Sequence, residues 1–209
     1  MQHTASKDCL IKSFIDTNSF LWEKDERFKL SSGRPSAFYV NCKVILSNPG
    51  DRKLISQLMY EKIKTFLHEI DAVGGLAIGA IPISTSLSDH VYRETQESKV
   101  LRTFVVRKKE KEHGLRLRTE GNIQEGDRAL VVDDVLTTGM STIDAIEQGR
   151  AAGLKIDYAF VIVDRGEDNG KQNVEARGVK LLSLVTLDDL KAVKLAPKKQ
   201  HTSHSLLRA

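Results

Sequence analysis

The chain has 209 residues and a formal charge of +4 at pH 7, because 32 Lys and Arg residues outnumber 28 Asp and Glu residues. This length predicts one domain with a conventional hydrophobic core, and the small basic excess suits an anionic small molecule at least as well as nucleic acid. The two cysteines lack metal-ligand spacing, which argues against a disulfide framework and a zinc site. The sequence has no long apolar run, which argues against a secretion signal and a membrane span, so we expect a soluble, cytoplasmic protein.

The first 70 residues predict two helices separated by a hairpin. Residues 7–18 place apolar side chains at helical spacing, which predicts a short opening helix. Residues 28–43 contain alternating and aromatic segments about a Gly-Arg-Pro turn at 33–35, a pattern typical of a β-hairpin. A longer helix is expected from Asn48 to about Ile70, and its apolar stripe indicates a face that packs in the core.

The rest of the chain alternates strand and helix patterns. Strands are predicted near residues 72–78, 100–107, 129–133, 158–164 and 180–186, and helices near 84–97, 142–152 and 171–177. This alternation predicts an α/β fold with a doubly wound, mostly parallel sheet flanked by helices, in a single domain over residues 1–195. Residues 108–125 have many charges and little hydrophobic periodicity, so we expect a long mobile loop there, and the polar, basic tail at 196–209 is expected to be disordered.

The stretch 130–141 carries the strongest chemical signal. Three apolar residues lead into Asp133 and Asp134, which places two carboxylates at the carboxyl end of a buried strand, where open α/β sheets bind ligands. The hydroxyl-bearing residues that follow are Thr137, Thr138 and Ser141. Gly139 allows backbone N–H groups to turn towards an anion at the start of a helix. Because carboxylates suit sugar hydroxyls or a metal ion and the turn suits a phosphate, the stretch predicts a sugar-phosphate site.

A strand ending in two acids also occurs in P-loop nucleotidases, which need the motif G-x-x-x-x-G-K-[ST] elsewhere. The nearest match, residues 121–126 followed by Asp127 and Arg128, lacks both the Lys and the hydroxyl, so we exclude that class. The other alternative is a strand, a capped turn and a helix without any ligand. Two adjacent buried acids are costly without partners, which weighs against it.

A basic run lies at residues 107–114, where the expected loop begins. Its cationic or potentially cationic members are Arg107, Lys108, Lys109, Lys111 and His113. Three interpretations stay open: a solvated charge run, a nucleic-acid contact, and a mobile clamp that neutralises a bound polyphosphate. No aromatic residue lies between Phe104 and Tyr158, which weighs against nucleic acid. Mg²⁺ would assist a clamp, since it commonly reaches proteins through substrate phosphates, and His113 would donate a hydrogen bond or a proton to a phosphate oxygen.

Two further features lie at the same predicted sheet edge. The small-residue turn within residues 73–82 follows a strand and allows close backbone approach to an anion. Arg165 follows the strand that ends at Asp164 and suits a planar carboxylate, with structural pairing to Asp164 or Glu167 as the alternative.

Together these motifs resemble those of the type I phosphoribosyltransferases, and more narrowly of the orotate phosphoribosyltransferases of pyrimidine biosynthesis. Residues 133–141 are similar to the family's signature for 5-phosphoribosyl 1-diphosphate, residues 107–114 to the catalytic loop of the orotate enzymes, residues 28–39 to their N-terminal hood, and residues 74–82 to their diphosphate turn. The resemblance covers residues 10–190 in order. It implies a pentosyltransferase that uses Mg²⁺, joins orotate to the phosphoribosyl group and works as a homodimer.

The resemblance also implies roles for single residues. Those implied for the phosphoribosyl diphosphate are Ile78, Gly79, Arg107, Lys108, Lys111, His113, Asp133, Asp134, Val135, Leu136, Thr137, Thr138, Gly139, Met140 and Ser141. Those implied for orotate are Tyr39, Val40, Thr137 and Arg165. The implied catalytic set is Arg107, Lys108, Lys111, His113, Asp133 and Asp134, of which Lys108, Lys111 and His113 would reach the neighbouring subunit's site. The hood would lie within residues 1–48 and the catalytic loop within 108–125, and Mg²⁺ would be held through the substrate diphosphate.

Two positions depart from the family pattern: many relatives have Lys where this chain has Ser31, and some have Lys where it has Gly79. Asn41 and Lys43 also differ and are expected to be structural. Two other functions stay open. One is a phosphoribosyltransferase for another purine or pyrimidine base, which would not need Arg165, and the other is a non-catalytic regulator that keeps the site as a sensor and binds RNA.

Overall fold

The computed structural model of the protein describes residues 6–25, 28–29, 33–109 and 118–195. The strands in these ranges are β1 (Phe20–Trp22), β2 (Phe28–Lys29), β3 (Pro35–Ser36), β4 (Phe38–Val40), β5 (Ala72–Leu76), β6 (Arg102–Val106), β7 (Thr119–Gly121), β8 (Arg128–Leu136), β9 (Lys155–Asp164) and β10 (Lys180–Thr186). The α-helices are α1 (Lys7–Asp16), α2 (Cys42–Ser47), α3 (Pro49–Ile63), α4 (Ala80–Glu94), α5 (Met140–Ala151), α6 (Gly170–Glu175) and α7 (Leu187–Lys194).

Six strands form the central sheet, in the order β10-β9-β8-β5-β6-β7. Every neighbouring pair is parallel except β6 and β7, which are antiparallel. Helix α4 connects β5 to β6 along one face of the sheet, whereas α5 connects β8 to β9 along the other. The sheet is therefore doubly wound and mostly parallel, which confirms the predicted fold class.

Two hydrophobic layers cover the sheet. Successive residues of β9 point to opposite faces, so that Phe160 packs with α1, α3, α4 and α7 while Val161 packs with α5 and α6. Burial on both faces explains why β8 and β9 are nearly continuous apolar runs in the sequence. Such strands leave polar side chains only at their ends, and the carboxyl ends of the parallel strands meet at one rim of the sheet.

The N-terminal strands form two small antiparallel pairs outside the central sheet. Strand β2 pairs with β3, with Phe28 opposite Ser36, which confirms a hairpin about the turn at 33–35. The prediction was wrong beyond that turn, because β4 pairs with β1 and residues 42–47 form helix α2. Burial of one apolar side of that short helix, together with the pairing of the three-residue strand β1, overrides the local strand pattern.

Other details of the prediction are also wrong. Strand β8 continues to Leu136 instead of ending at Asp133, because it keeps pairing with β9, so both acids lie inside the strand. Residues 119–121 were predicted as loop but form β7, because the edge of β6 offers backbone groups for pairing. Residues 110–117 of the loop predicted at 108–125, and the whole tail predicted at 196–209, lie outside the described residues.

The long helix α3 begins after Asn48, as predicted, since the Asn48 side chain accepts hydrogen bonds from the backbone of Gly50 and Asp51. It ends at Ile63, earlier than the expected Ile70, and a short 3₁₀ turn follows. Within the described part of the chain, none of the helices combines the length and apolar character that crossing a membrane requires.

The burial of Phe160 generates a stability prediction. Its side chain is fully buried, so Phe160→Ala should leave a cavity and lower the free energy of unfolding by about 3–5 kcal/mol. As a control, Tyr92→Ala changes an aromatic residue of α4 that is 40% exposed and should cost less than about 1 kcal/mol. Urea unfolding followed by circular dichroism measures both values, and equal losses would contradict the core position of Phe160.

Candidate active site

A cavity of about 740 Å³ opens at the carboxyl rim of the sheet, a volume within the usual range for small-molecule sites. Several parts of the chain line it: the end of β2, the end of β4 with the start of α2, the turn after β5, the basic segment after β6, the end of β8 with the start of α5, and the residue after β9. The predicted site residues that line it are Tyr39, Val40, Ile78, Gly79, Arg107, Lys108, Asp133, Asp134, Val135, Thr137, Ser141 and Arg165. Residues that lie far apart in the sequence therefore meet in one place.

The two acids of β8 occupy different environments. Asp133 is buried, and its carboxylate accepts hydrogen bonds from the backbone N–H of Asp134 at 2.9 Å and from the hydroxyl of Thr142 at 3.2 Å. Burial, and then the adjacent charge of Asp134, raise the pKa of Asp133 to about 7. Asp134 is half-buried and accepts a hydrogen bond from the backbone N–H of Val135 at 2.9 Å. Near neutral pH the pair can therefore offer both hydrogen-bond acceptors and a proton to a ligand that carries hydroxyl groups.

The turn after β8 forms a small cup beside these acids. Gly139 has a φ of +83°, and a side chain there would begin 2.9 Å from the carbonyl oxygen of Gly170, so only glycine fits. Helix α5 starts immediately afterwards and directs its first N–H groups towards the turn. The residues that line the cup, about 30 Å³ in volume, are Asp133, Val135, Thr137, Thr138, Gly139, Met140, Ser141 and Thr142. This arrangement suits an anion.

One member of the predicted signature differs from its neighbours. The side chain of Leu136 is buried in the layer beneath α5 and lines neither the cavity nor the cup. Its carbonyl oxygen accepts a hydrogen bond from the backbone N–H of Arg165 at 3.0 Å. Leu136 therefore connects the ends of β8 and β9 through its backbone.

The turn after β5 approaches the acids closely. A Cβ atom at Gly79 would lie 3.1 Å from the Asp134 carboxyl carbon, so a larger residue would press against that carboxylate. Ile78 precedes it with 74% of its surface exposed at the cavity. The position where some relatives have Lys is thus one where this chain brings bare backbone next to the acidic pair.

The basic segment begins at the cavity and is anchored at its base. Arg107, Lys108 and Lys109 line the cavity. Arg118 donates from Nε to the carbonyl oxygen of Arg107 at 2.7 Å and from its two terminal nitrogens to the carboxylate of Asp144 at 2.8 and 2.5 Å. This bidentate pair holds Arg118, and through it the backbone of Arg107, against α5. The predicted site residues Lys111 and His113 lie outside the described residues.

Arg165 is buried beneath the N-terminal strands and still lines the cavity. Its Nε donates to Glu167 at 2.8 Å, so the structural pairing considered as an alternative does occur. One terminal nitrogen donates to the Ser36 hydroxyl at 3.2 Å, and the contacts with the Phe38 carbonyl oxygen are long, at 3.5 Å. The guanidinium is therefore held in a fixed orientation and keeps hydrogen-bonding capacity towards the cavity.

Tyr39 contributes an aromatic ring to the wall of the cavity that Arg165 also lines. Its ring stacks on that of Phe28, with centroids 5.4 Å apart and planes inclined by 21°. The pair connects β4 to the hairpin of β2 and β3, and Val40 follows on the cavity wall. A flat aromatic surface beside a guanidinium suits a planar anion.

The cavity wall also contains residues to which the sequence assigned no individual role, namely Lys29, Cys42, Leu76, Ala77 and Lys109, although Lys109 belongs to the predicted basic run and Leu76 and Ala77 to the predicted small-residue turn. Asn41 and Lys43, which were expected to be structural, line the cavity as well. The signal that could have found Asn41 and Lys43 is their position directly after the aromatic strand β4. Cys42 is free and buried, and burial, then the charges of Asp134 and Asp133, raises the pKa of its thiol. It therefore stays protonated and acts as a small apolar wall residue.

The donor set for a metal ion is limited. Among the described residues no group of three or more His, Cys, Asp and Glu side chains is placed to hold one. The cavity offers the carboxylates of Asp133 and Asp134, and Mg²⁺ is commonly bound by one or two carboxylates together with substrate phosphates. These residues fit an ion that enters with a phosphorylated substrate and do not form a protein cage.

Residues 42–192 match the family model described as the phosphoribosyl transferase domain, which covers more than half of the chain. The fold and the site thus define a phosphoribosyltransferase. Among curated relatives, the orotate phosphoribosyltransferase of Aquifex aeolicus is 40% identical over 163 residues, covering 78% of this chain and 86% of that protein. The orotate phosphoribosyltransferase of Pyrococcus abyssi is 39% identical over 184 residues, covering 88% of this chain and 94% of that protein.

Solved structures agree with this result. The orotate phosphoribosyltransferase of Mycobacterium tuberculosis in complex with Fe(III) dicitrate is 30% identical, with a TM-score of 0.72 over 88% of this chain and 98% of that one. Its complex with 5-phospho-alpha-D-ribosyl 1-diphosphate gives a TM-score of 0.67 at 28% identity, with the same coverage. The chain belongs to the phosphoribosyltransferase family, and within it to the orotate phosphoribosyltransferases, which are pentosyltransferases.

The protonation of Asp133 makes stability depend on pH. Its pKa is about 7 in the folded chain against an ordinary value of 3.8, so between these values the folded chain holds a proton that the unfolded chain has released. The contribution of Asp133 to the free energy of unfolding is therefore complete below about pH 4 and falls as pH rises to about 7, by at most about 1.4 kcal/mol per pH unit.

The difference between the wild type and Asp133→Asn isolates this contribution from those of other carboxylates. Relative to the variant, the wild type should lose stability from pH 4 to pH 7, as measured by urea unfolding. Asp134→Asn removes the neighbouring charge and should shift the loss to lower pH. A constant difference between wild type and Asp133→Asn across this range would contradict the buried, protonated state.

Proposed function

We propose that the chain transfers the phosphoribosyl group from 5-phosphoribosyl 1-diphosphate to orotate, producing orotidine 5′-phosphate and diphosphate, in pyrimidine biosynthesis. The observation that carries the proposal is the meeting of four features in one cavity: an acidic pair, an anion cup, a cationic segment and a buried arginine beside an aromatic wall. Each feature suits a different part of the two substrates. The resemblance of the motifs and the names of the relatives support the same substrates.

The spatial order of these features supports a single orientation of the phosphoribosyl diphosphate. The cup at Thr137 to Ser141 would hold the 5-phosphate, and Asp133 and Asp134 beside it would accept hydrogen bonds from the ribose hydroxyls. The diphosphate would lie between the turn at Ile78 and Gly79 and the cationic segment. The Mycobacterium tuberculosis relative has been crystallised with this same compound, which supports its assignment to the cavity.

The orotate subsite is proposed at the other end of the cavity. Arg165 would pair with the orotate carboxylate, and Tyr39 and Val40 would cover the ring, with Thr137 between base and sugar. Buried guanidinium groups favour planar carboxylates because two parallel N–H groups can bond both oxygens. A purine or uracil lacks that carboxylate, so this residue favours orotate over the other bases.

In the proposed reaction the bond between ribose C1 and the diphosphate oxygen breaks, its electron pair leaves with the diphosphate, and positive charge develops on the ribose ring. A ring nitrogen of orotate then forms a bond to C1 and gives up its proton, which is released with the diphosphate or to solvent. Arg107, Lys108 and Lys111 would neutralise the charge that grows on the departing diphosphate, and the Asp pair would hold the ribose in line. Bound Mg²⁺ would supply further charge neutralisation at the diphosphate. The protein thus contributes mainly alignment and electrostatic stabilisation.

The proposal includes a cytoplasmic homodimer in which the loop residues Lys111 and His113 act in the neighbouring subunit's site. Lys108 was expected to act there as well, but it lines the cavity of its own chain. It is supported by the resemblance of residues 107–114 to the catalytic loop of the orotate enzymes. Two anionic substrates repel each other in a cavity from which water is excluded, so a cationic loop that closes over them lowers that repulsion.

The activity itself gives a direct test. Purified protein with phosphoribosyl diphosphate and Mg²⁺ should consume orotate, followed by the loss of its ultraviolet absorbance, and chelation of the metal should stop the reaction. Uracil and hypoxanthine serve as control bases. Turnover of a control base without turnover of orotate would overturn the proposal. A folded dimer that binds RNA and turns over none of the three bases would favour the alternative of a non-catalytic, RNA-binding regulator.

The cationic loop gives a second test. Lys111→Ala should lower kcat by about a hundredfold or more, since one lost charge-assisted donor to the transition state costs about 3 kcal/mol. The matched control is Lys155→Ala at the start of β9, at the opposite end of that strand from the cavity, which should leave kcat unchanged. Unchanged turnover in Lys111→Ala would refute its role.

Sharing of the loop between subunits is tested with hybrids. Lys111→Ala subunits mixed with Asp134→Asn subunits should regain activity, because a hybrid dimer contains one site with both an intact loop and an intact acidic pair. If the mixture stays as inactive as the two separate variants, the loop acts within its own subunit.

A further inference from the structure

The segment between β9 and α6, residues 165–170, touches both ends of the cavity and is here named the connector. On one side it contacts the N-terminal strands that cover the proposed orotate subsite. On the other it contacts the turn that forms the proposed 5-phosphate cup. The connector therefore links the two proposed subsites through the protein itself.

On the orotate side, two arginines join the connector to the hairpin of β2 and β3. Arg165 donates to the Ser36 hydroxyl at 3.2 Å, and Arg34 forms an ion pair with Asp168. The Asp168 side chain is only 15% exposed, and its second oxygen, Oδ2, is buried without a hydrogen-bond partner in the described part of the chain. Because a mostly buried carboxylate depends on its partner, the ion pair with Arg34, whose own side chain is 68% exposed, links the hairpin to the connector.

On the phosphate side, Asn173 of α6 makes the connection. Its side-chain amide donates to the carbonyl oxygen of Thr138 at 2.9 Å and to that of Asp168 at 3.2 Å, so one NH₂ group joins the cup to the connector. Backbone contact reinforces this link, since a Cβ atom at Gly170 would lie 2.2 Å from the Thr137 carbonyl oxygen. Asp168 and Asn169 also have positive φ angles, 52° and 54°, so the connector is held in a conformation that non-glycine residues rarely adopt.

We propose that Asp168 and Asn173 are positioning residues that couple the two subsites, so that a phosphate in the cup strengthens orotate binding and orotate strengthens binding in the cup. This inference rests on the proposed function. An anion at the start of α5 orders the Thr137–Ser141 turn, Asn173 then fixes the Asp168 carbonyl, and the Asp168 carboxylate fixes the hairpin above Arg165. The first ligand to bind loses conformational entropy by ordering these segments, and the second ligand then binds without that loss.

Isothermal titration calorimetry measures this coupling without turnover, with ribose 5-phosphate in place of the full donor substrate. The dissociation constant of orotate is measured alone and with saturating ribose 5-phosphate. In the wild type the sugar phosphate should tighten orotate binding by about fivefold or more. The coupling is the ratio of the orotate dissociation constant measured alone to that measured with ribose 5-phosphate. Asn173→Asp keeps the size of the side chain but removes the NH₂ donor, and it should bring this ratio close to one.

One control and two further variants separate positioning from damage to the fold. Gln172→Glu makes the same amide-to-carboxylate change at the neighbouring exposed residue of α6 and should keep the wild-type ratio. Arg34→Met breaks the other link in a hairpin outside the central sheet and should also lower the ratio, while the affinity for ribose 5-phosphate alone stays within about twofold of wild type. Asp168→Asn should repeat the effect of Arg34→Met, and the double variant should lose no more than either single one.

Each outcome decides the question. The inference is overturned if Asn173→Asp keeps the wild-type ratio. If Asn173→Asp does not fold, the same result in Arg34→Met overturns it. It is also overturned if the wild type binds the two ligands independently. Failure of the wild type to bind orotate under either condition would instead count against the proposed function.

Discussion

Two adjacent carboxylates in a strand buried on both faces are the constraint on which the rest of this structure depends. Removing a charge from water is costly, so Asp133 has its oxygens bonded to a backbone N–H and to the Thr142 hydroxyl and still has a raised pKa. Thr142 lies on the first turn of α5, and the left-handed backbone of Gly139 brings that turn back over the acid. The geometry that stabilises the acids therefore also forms the anion cup beside them.

Parallel strands explain why the remaining features gather at the same rim. Because β5, β6, β8 and β9 run in the same direction, their carboxyl ends place the small-residue turn, the cationic segment, the acids and Arg165 around one cavity. Arg165 shows that structural and functional roles can coincide. Its bond to Glu167 fixes the direction of the guanidinium, and its contacts with Ser36 and Phe38 bring the N-terminal strands over the cavity.

Much of the fold could be predicted because its main elements have strong local patterns. Strand β10 was predicted at its observed bounds, and the apolar runs of β8 and β9 follow directly from burial on both faces. The failures share a cause. Strands β1 and β7 are only three residues long, and each exists because a distant segment offers a partner edge, which no local pattern reveals. The cavity-lining position of Cys42 was not predicted for the same reason, since its place in the wall follows from how β4 pairs with β1.

The sequence by itself determined the class of fold, the position of the acidic pair, the glycine that turns the chain beside it and the resemblance to a phosphoribosyltransferase, because these depend on residue types at short spacing. Only the tertiary structure decided that Arg165 and Tyr39 face one cavity, that Gly79 lies against Asp134, and that Asp168 and Asn173 join the two ends of the site. Such contacts join residues more than thirty positions apart, as in the pair Thr138 and Asn173, which are 35 residues apart. Their geometry depends on packing across the sheet, and a linear pattern does not encode it.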